Sequence, residues 1–515
     1  REGRRGEGVM PDGLLALGRA LGGFLDPASL AYAVGATLLG IMVGVLPGLS
    51  ATLAISLLTT LTIKLPPNDA ILILVCAYVG AIYGGSRTAI LLNIPGTAAN
   101  AAACLDGYQL ALQGRAGRAM GIATTGSVAG SVLGILCLAS ITPWLAEQAL
   151  SFQSYEIFWL ALFGVLMSGT VVGGDPLKGW IMGALGLFAA QIGQDGIHAH
   201  ERFAFGDPDL AGGLSLIPVL VGAFGCAEVL TVMAERAARP RLHPVDSILP
   251  RIRDVLRYWK TILRSGAIGV TMGILPGVGE DMAAWSSYAA AKRLSRTPEQ
   301  FGQGSVEGLI AAETGDNAAI PGAMIPALAL GIPGSAPAAV LLAAMIIHGA
   351  NPGPMLIIQQ PQFIYDVVAM NLIATLAMLI FGLTLVRPML VVLAVPRSVI
   401  MPIVLVLCAV GAFAIASRLF DVWVMLAVGV AGFGLRRFGY PMAPFVLGLV
   451  LGDLLDKSLR RGLVLSGGEI EPFFTRPICA LLAVVVALTL ALNVPPVRTG
   501  WHRLRGAIGA RPARR

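Results

Sequence analysis

The chain has 515 residues, 56% of them hydrophobic and 13% charged, with a mean hydropathy of +0.79. Soluble domains carry roughly 25% charged residues, so this composition excludes a soluble globular protein and describes an all-α polytopic membrane protein. The net charge of +7 does not indicate nucleic acid as a partner, because Arg and Lys sit in short connections and at the tail, where cytoplasmic loops of membrane proteins carry them.

No Walker A loop, HExxH pair or CxxC pair occurs, which argues against a nucleotide-driven pump and a thiolate metal site. Six cysteines lie singly in apolar stretches and imply no disulfide framework. Residues 1–26 read as a leader and N-terminal segment, with REGRRGEGV unstructured, Met10 a natural start and no signal peptide evident. From Pro27 to Ile63 the chain is uncharged for 37 residues. One helix of that length spans about 55 Å, well beyond a ~30 Å hydrocarbon core, so it must bend, and Pro47-Gly48 marks the place. Further uncharged stretches recur as far as residue 497, several shorter than the ~20 residues of a regular span. About 10–12 transmembrane helices, some broken or re-entrant, are expected from hydropathy.

Charge gives the orientation. Residues 232–264 carry eight Arg or Lys against three acids, and the tail from Arg498 carries six Arg and no acid. Both are expected on the cytoplasmic side, and the acidic 195–209 connection outside. Lys292, Arg293 and Arg296 again read as cytoplasmic, which makes 265–291 a re-entrant hairpin; the alternative is one crossing with a basic outer loop.

Two motifs recur in order. Gly40-IMV-Gly44-VLPG matches Gly269-VTM-Gly273-ILPG at an offset of 229, and Asn93-IPG-Thr97 matches Gly331-IPG-Ser335 at an offset of 238. The chain therefore divides into a first membrane repeat (27–230), a basic cytoplasmic connection (231–264), a second repeat (265–456) and a terminal helix with a basic tail (457–515). Glu313, Asp316 and Asn317 precede 30 uncharged residues, Ala318 to Ile347, interrupted by Pro321-Gly322, Pro326 and Pro333-Gly334. Pro removes an N–H and clashes with the preceding turn. Paired halves with matching Pro/Gly-broken helices point to an ion or solute site at the repeat interface.

The runs GVLPGLSATLAISLLTTLTIKLP, YGGSRTAILLNIPGTAANAAACLDGYQLALQGRAGRAMG, GILPGVGEDMAAW, EGLIAAETGDNAAIPGAMIPALALGIPGS and YPMAPFVLGLVLGDLLDKSLRRGLVLSGG resemble the large membrane subunit, TctA, of the tripartite tricarboxylate transporters. The resemblance covers nearly the whole chain. It implies a secondary transporter of the bacterial inner membrane, driven by Na⁺ or H⁺ and using no other cofactor. Its implied partners are the lipid bilayer, a small four-helix membrane subunit and a periplasmic binding protein that delivers organic acids. Members of that family often carry two Asn where this chain has Asp316-Asn317.

An anionic carboxylate needs donors, and half-helix N-termini supply N–H groups with a favourable dipole. Thr97 and Ser335, one after each IPG, would stand at such termini; ordinary N-capping is the alternative. Arg87 reads either as a bidentate carboxylate clamp or as an arginine snorkelling at the membrane edge. The candidate substrate set is thus Pro47, Gly48, Arg87, Asn93, Pro95, Gly96, Thr97, Pro276, Gly277, Pro333, Gly334 and Ser335. The candidate cation set is Asn93, Glu313, Asp316 and Asn317. Glu280 and Asp281 read as a cation or proton site or as the exposed tip of the hairpin, and Asp106 with Arg115 and Arg118 as a cytoplasmic loop. The competing classes are an intramembrane aspartyl-type hydrolase, whose second motif is missing beside Gly315-Asp316, and a channel. The reading is a transporter component and not an enzyme.

Overall fold

The computed structural model describes residues 9–46, 48–171, 175–195, 197, 200–234, 252–385 and 397–493. Helix α1 (Val9–Gly23) precedes α2 (Pro27–Val45), α3 (Ala51–Thr62) and α4 (Pro67–Leu92). A 3-10 turn (Ala98–Asn100) leads into α5 (Ala101–Leu112), and α6 (Ala116–Ala149) and α7 (Ser154–Val171) follow. Next come α8 (Pro176–Ala189), an antiparallel hairpin of β1 (Gly193–Gln194) and β2 (Glu201–Arg202), and the one-turn α9 (Pro208–Ala211). Helix α10 (Leu216–Leu220) runs through a π-helical segment (Val221–Cys226) into α11 (Ala227–Ala234). The second part holds α12 (Ile252–Arg257), α13 (Trp259–Ile274), α14 (Gly279–Leu294), α15 (Val306–Leu330) and α16 (Ala336–Ile347). It continues with α17 (Leu356–Gln359), α18 (Pro361–Thr384), α19 (Arg397–Ala416), α20 (Leu419–Arg437), α21 (Met442–Leu465), α22 (Pro472–Thr475) and α23 (Pro477–Asn493).

Among the described residues six helices are long and apolar enough to cross a membrane, and five further apolar helices are shorter. The all-α polytopic class is what the structure has. Residues 1–8 of the leader, 235–251 of the basic connection and the tail from 494 lie outside the described residues.

The chain forms two compact units, which cut across the halves read from the repeat. One is Arg1–Ser151 with Leu214–Gly434, and the other Phe152–Gly213 with Leu435–Arg515. The smaller unit packs α7 and α8 on α21, where Gly186 and Gly448 leave no room for a side chain. Its Asp195 is paired with both Arg202 and Arg460, and Asp456 with the same two arginines. All the site residues discussed below belong to the larger unit.

Within the larger unit, corresponding positions of the two motifs carry the same backbone features. After α2, Leu46 turns extended and Gly48 takes φ +92°; after α13, Leu275 turns extended and Gly277 takes φ +74°. Pro47 lies outside the described residues. Helix α4 ends on Asn93 at φ +56°, and α15 on Gly331 at φ +72°. In the segments that follow, Gly96 N–H donates back to Gly85 O (3.3 Å) and Gly334 N–H to Ala323 O (3.4 Å). These are the same two steps at an offset of 238.

The glycines of the first motif explain the packing. Gly40 and Gly44 press α2 onto Ala77 O and Ala81 O of α4, and Gly269 and Gly273 press α13 onto Gly315 O and Ala319 O of α15. A Cβ on Gly96 would meet Gly44 O, and a Cβ on Gly334 would meet Gly273 O. Each helix pair therefore carries its own broken segment against its second motif glycine.

One expectation changes. Pro321 and Pro326 do not break the helix: α15 runs through both, and the chain leaves helical geometry only at 331–335. A proline inside a membrane helix persists where neighbouring helices surround the freed backbone, and α15 is packed between α6, α13 and α14. The 265–291 segment is two helices meeting at a turn at 275–278. At 16 residues each, they are about 24 Å long, short of a ~30 Å hydrocarbon core.

The close approach is testable with the smallest side chain. Gly44→Ala and Gly273→Ala should each lower the melting temperature of the purified protein by the equivalent of about 1–3 kcal/mol, the usual cost of overpacking. Gly18→Ala on α1, where nothing lies within 4 Å, should leave it unchanged or raise it slightly. Unaltered melting of both core variants would show that the helices are not held at glycine distance.

Candidate functional site

Glu313, Asp316 and Asn317 share one face of α15, because spacings of three and four residues stack side chains over successive turns. All three are at most 1% exposed. Glu313 Oε2 accepts hydrogen bonds from Ser86 Oγ of α4 (2.7 Å) and Ser127 Oγ of α6 (2.9 Å). Asp316 Oδ1 accepts from Asn317 Nδ2 (2.7 Å), and its Oδ2 from Asn100 Nδ2 (3.3 Å). Asn100 Nδ2 also donates to Ser86 Oγ (3.1 Å), while its Oδ1 accepts from Thr97 Oγ1 (2.6 Å). The first broken segment is thereby tied through Thr97 and Asn100 to the acids of the second half. Two oxygens in this cluster, Glu313 Oε1 and Asn317 Oδ1, are buried with no hydrogen-bond partner.

The second broken segment is tied in the other direction. Ser335 Oγ accepts from Ala338 N–H (3.3 Å), capping α16, and donates to Glu280 Oε1 (3.0 Å). Tyr78 OH, from α4, also donates to Glu280 Oε1 and lies 2.8 Å from Ser335 Oγ. At the offset of 238, Tyr78 corresponds to Asp316. Each half thus sends a polar side chain from its long helix to the other half's broken segment.

Several candidates stand elsewhere than the sequence suggested. Arg87 does not snorkel. It is fully buried and donates to Met120 O (3.0 Å) and Thr124 Oγ1 (2.7 Å), with its guanidinium 4.3 Å from the Tyr83 ring centroid. It joins α4 to α6, and no other Lys or Arg is buried among the described residues. Asn93 is exposed and ends α4 in left-handed geometry, apart from the acids. Pro95 is half-buried, and Pro276, Gly277, Pro333 and Gly334 are buried. Glu280 is not an exposed tip but 3% exposed, while its neighbour Asp281 faces outward.

Asp106 is no loop residue either. It is buried on α5, where Oδ1 accepts three backbone N–H groups, from Gly302, Gly304 and Ser305 at 2.7–2.9 Å, and Oδ2 accepts Tyr288 OH at 2.9 Å. The carboxylate fixes the approach to α15.

Ser86, Asn100, Ser127 and Tyr78 escaped the sequence reading. Asn100 had a signal, as the lone amide in the small-residue run TAANAAA, three residues after Thr97. Tyr78 had one in its register with Asp316. The serines had none, since Ser in a membrane helix usually bonds its own backbone. Among the described residues, no three His, Cys, Asp or Glu side chains are grouped as metal ligands. A cation here would therefore rest on carboxylate, amide and hydroxyl oxygens together.

The family model of the Tripartite tricarboxylate transporter TctA family matches residues 30–447, a span that takes in both broken segments and every residue of the two clusters. The chain belongs to the TctA family. It is 37% identical over 477 residues to an "Uncharacterized 52.8 kDa protein in TAR-I ttuC' 3'region" of Agrobacterium vitis, across 92% of this chain and 95% of that one. It is also 35% identical over 232 residues to an "Uncharacterized protein in TAR-II ttuC' 3'region" of the same organism, across 45% of this chain and 96% of the relative. No solved structure matches. Membership makes this TctA chain a multi-pass membrane component of a transporter.

Asp106 offers a check on the site's scaffold that needs no substrate. Asp106→Ala removes the acceptor of three amides, each costing about 1–3 kcal/mol when left buried and unpaired. The variant should melt well below the parent, and Asp106→Asn, which keeps one carbonyl acceptor, should fall between them. Equal melting of Asp106→Ala and parent would show that the 302–305 backbone finds other partners.

Proposed function

We propose that this TctA chain is the permease subunit of a cation-coupled secondary transporter that imports organic acids, such as citrate or other di- and tricarboxylates, across the bacterial inner membrane. A periplasmic binding protein delivers the acid, and a small four-helix membrane subunit completes the assembly. The observation that carries this reading is the pair of buried, unpartnered oxygens, Glu313 Oε1 and Asn317 Oδ1. An unmet buried acceptor is costly, and two of them one turn apart beside Asp316 make a seat for a cation. Oxygen ligands of mixed type suit a hard cation such as Na⁺.

The broken segments supply the other half of the coupling. Backbone N–H groups at the N-terminal side of the helices that follow are donors for a carboxylate, and the hydroxyls of Thr97 and Ser335 would turn to it from Asn100 Oδ1 and Glu280 Oε1. Gly96 and Gly334 let ligand or backbone approach closely. Asn100 links the two functions: it bonds the Asp316 carboxylate with one end of its amide and the Thr97 hydroxyl with the other. A cation that draws in Glu313 and Asp316 therefore bears on the first broken segment. Arg87 alone cannot neutralise a polyanion entering beside three buried acids, which is a physical reason for carrying cations with it.

Proteoliposomes test this with radiolabelled citrate, tartrate and succinate under an imposed Na⁺ gradient. Gly96→Val and Gly334→Val should abolish uptake while the protein remains in the membrane. Glu313→Gln should raise the Na⁺ concentration for half-maximal uptake at least about tenfold, equivalent to about 1.4 kcal/mol. Parental Na⁺ dependence in Glu313→Gln would place the cation elsewhere, and parental uptake in either glycine variant would make that segment structural.

The assembly is tested by composition. At micromolar acid, uptake should need the chain, its small membrane subunit and the liganded binding protein together. Equal saturable, Na⁺-driven uptake by the chain alone would end the three-component reading.

A further inference from the structure

Glu280 has no part in the cation seat, yet it is a buried carboxyl group without an ion-pair partner among the described residues. Its Oε1 contacts Tyr78 OH and Ser335 Oγ, and those two hydroxyl oxygens contact each other. Three oxygens touch pairwise, so three hydrogen bonds need three protons. Tyr and Ser own one each, enough for both to donate to the ionised carboxylate. A carboxylic acid proton on Glu280 supplies the third, donated to one hydroxyl, which then turns to donate to the other and closes the ring.

The surrounding charges agree. Asp281, next in the chain, and Asp316 of α15 both lie within electrostatic reach of Glu280 and are acids. On α15 the other acids are Glu313, bonded to Ser86 and Ser127, and Glu307, bonded to Thr261 and Ser295. On α5, Asp106 is taken up by the 302–305 amides and Tyr288, and Cys104 and Tyr108 complete its titratable groups. The cations are distant: Lys260 and Arg264 are ten or more residues before the turn on α13, and Lys292 and Arg293 three turns further along α14. Arg87, whose charge bears on Glu313, is nine residues beyond Tyr78 on α4, where Asp69, Cys76 and Tyr83 are the other titratable groups, while His348 closes the far end of α16. Glu299, in the turn beyond α14, is farther still along the chain. An uncompensated buried carboxylate is costly and is relieved by a proton. Opposing this, Glu280 stands in the first turn of α14 and touches the cap of α16, two helix N-termini that favour the ionised form. Opposed tendencies of that kind leave the group able to exchange its proton.

We propose that Glu280 is a proton-binding site, distinct from the Glu313–Asn317 cation seat, which takes up a proton when Ser335 and Tyr78 close on it and releases it when the second broken segment moves away. The inference rests on the reading of the chain as a cation-coupled carrier, and one experiment separates the two. The purified full-length protein in lipid is compared at acid and alkaline pH by infrared difference spectroscopy. Parent protein should show a carboxylic acid C=O band that shifts in D₂O and fades in alkali. The band should be missing from Glu280→Gln and present in Glu313→Gln. Tyr78→Phe, which keeps the carboxyl and removes one hydroxyl, should move the band, so the assignment stands even if Glu280→Gln folds badly. A full band in Glu280→Gln, or an unmoved band in Tyr78→Phe, overturns the proposal. Protection by Na⁺ against thermal unfolding is read on the same samples. It should survive in Glu280→Gln and fall at least fivefold in Glu313→Gln. Its absence from the parent would count against the cation seat alone, and its loss in Glu280→Gln would show one site where two are proposed.

Discussion

A polypeptide that leaves helical geometry inside an apolar environment must find protein partners for its backbone, since lipid offers none. Here two glycine amides meet that demand: Gly96 N–H returns to Gly85 O and Gly334 N–H to Ala323 O. Both bonds form only because the broken segment lies flat against a helix pair, and it lies flat only because Gly44 and Gly273 keep α2 and α13 at carbonyl distance from α4 and α15. Four glycines thus set the depth at which Thr97 and Ser335 stand. The polar clusters follow from that placement.

Bringing acids to such a place has its own physical condition. Glu313 and Asp316 take their hydrogen bonds from hydroxyl and amide donors, and Arg87, the one guanidinium buried among the described residues, lies within electrostatic reach of Glu313 but gives its hydrogen bonds to Met120 O and Thr124. A salt bridge would have satisfied the carboxylates permanently. Neutral donors leave part of the negative charge unmet, a state that is poor for stability and suited to reversible ion binding. Asp106 shows the contrast within the same unit. It takes four donors, three of them backbone amides, and its role is to hold the chain still.

The sequence made the broken segments legible because Pro and Gly act through the backbone, and backbone effects are local. The polytopic class was legible from apolar content for the same reason. Neighbourhood was not. Asn93 and Asn100 are seven residues apart in one segment, and only the path of the chain decides that the first ends a helix at the surface while the second reaches Asp316. Arg87 looked like a membrane-edge residue because hydropathy reports length and polarity, not which helix stands opposite. Pro321 and Pro326 misled in the reverse sense: local chemistry called for breaks, and the packing of three helices around α15 overrode it. Asp106 was read from nearby arginines, whereas its partners lie about two hundred residues away.

The repeat duplicates the scaffold without duplicating the chemistry. At the offset of 238, Glu313 faces Val75, Asp316 faces Tyr78, Asn317 faces Val79, Asn100 faces Ala338 and Ser86 faces Met324. The acids are on the long helix of the second half, and the amide that meets them is on the broken segment of the first. Glu280, by contrast, meets the broken segment of its own half through Ser335, and the phenol that joins them comes from the first. Equal backbones with unequal side chains yield two different polar centres, one rich in unmet oxygen and one closed by hydroxyls. Because each centre draws on both halves, neither broken segment can shift without disturbing hydrogen bonds made by the other half's long helix. That is a physical basis for coupling: the halves share their polar contacts, so a ligand that moves one changes what the other holds.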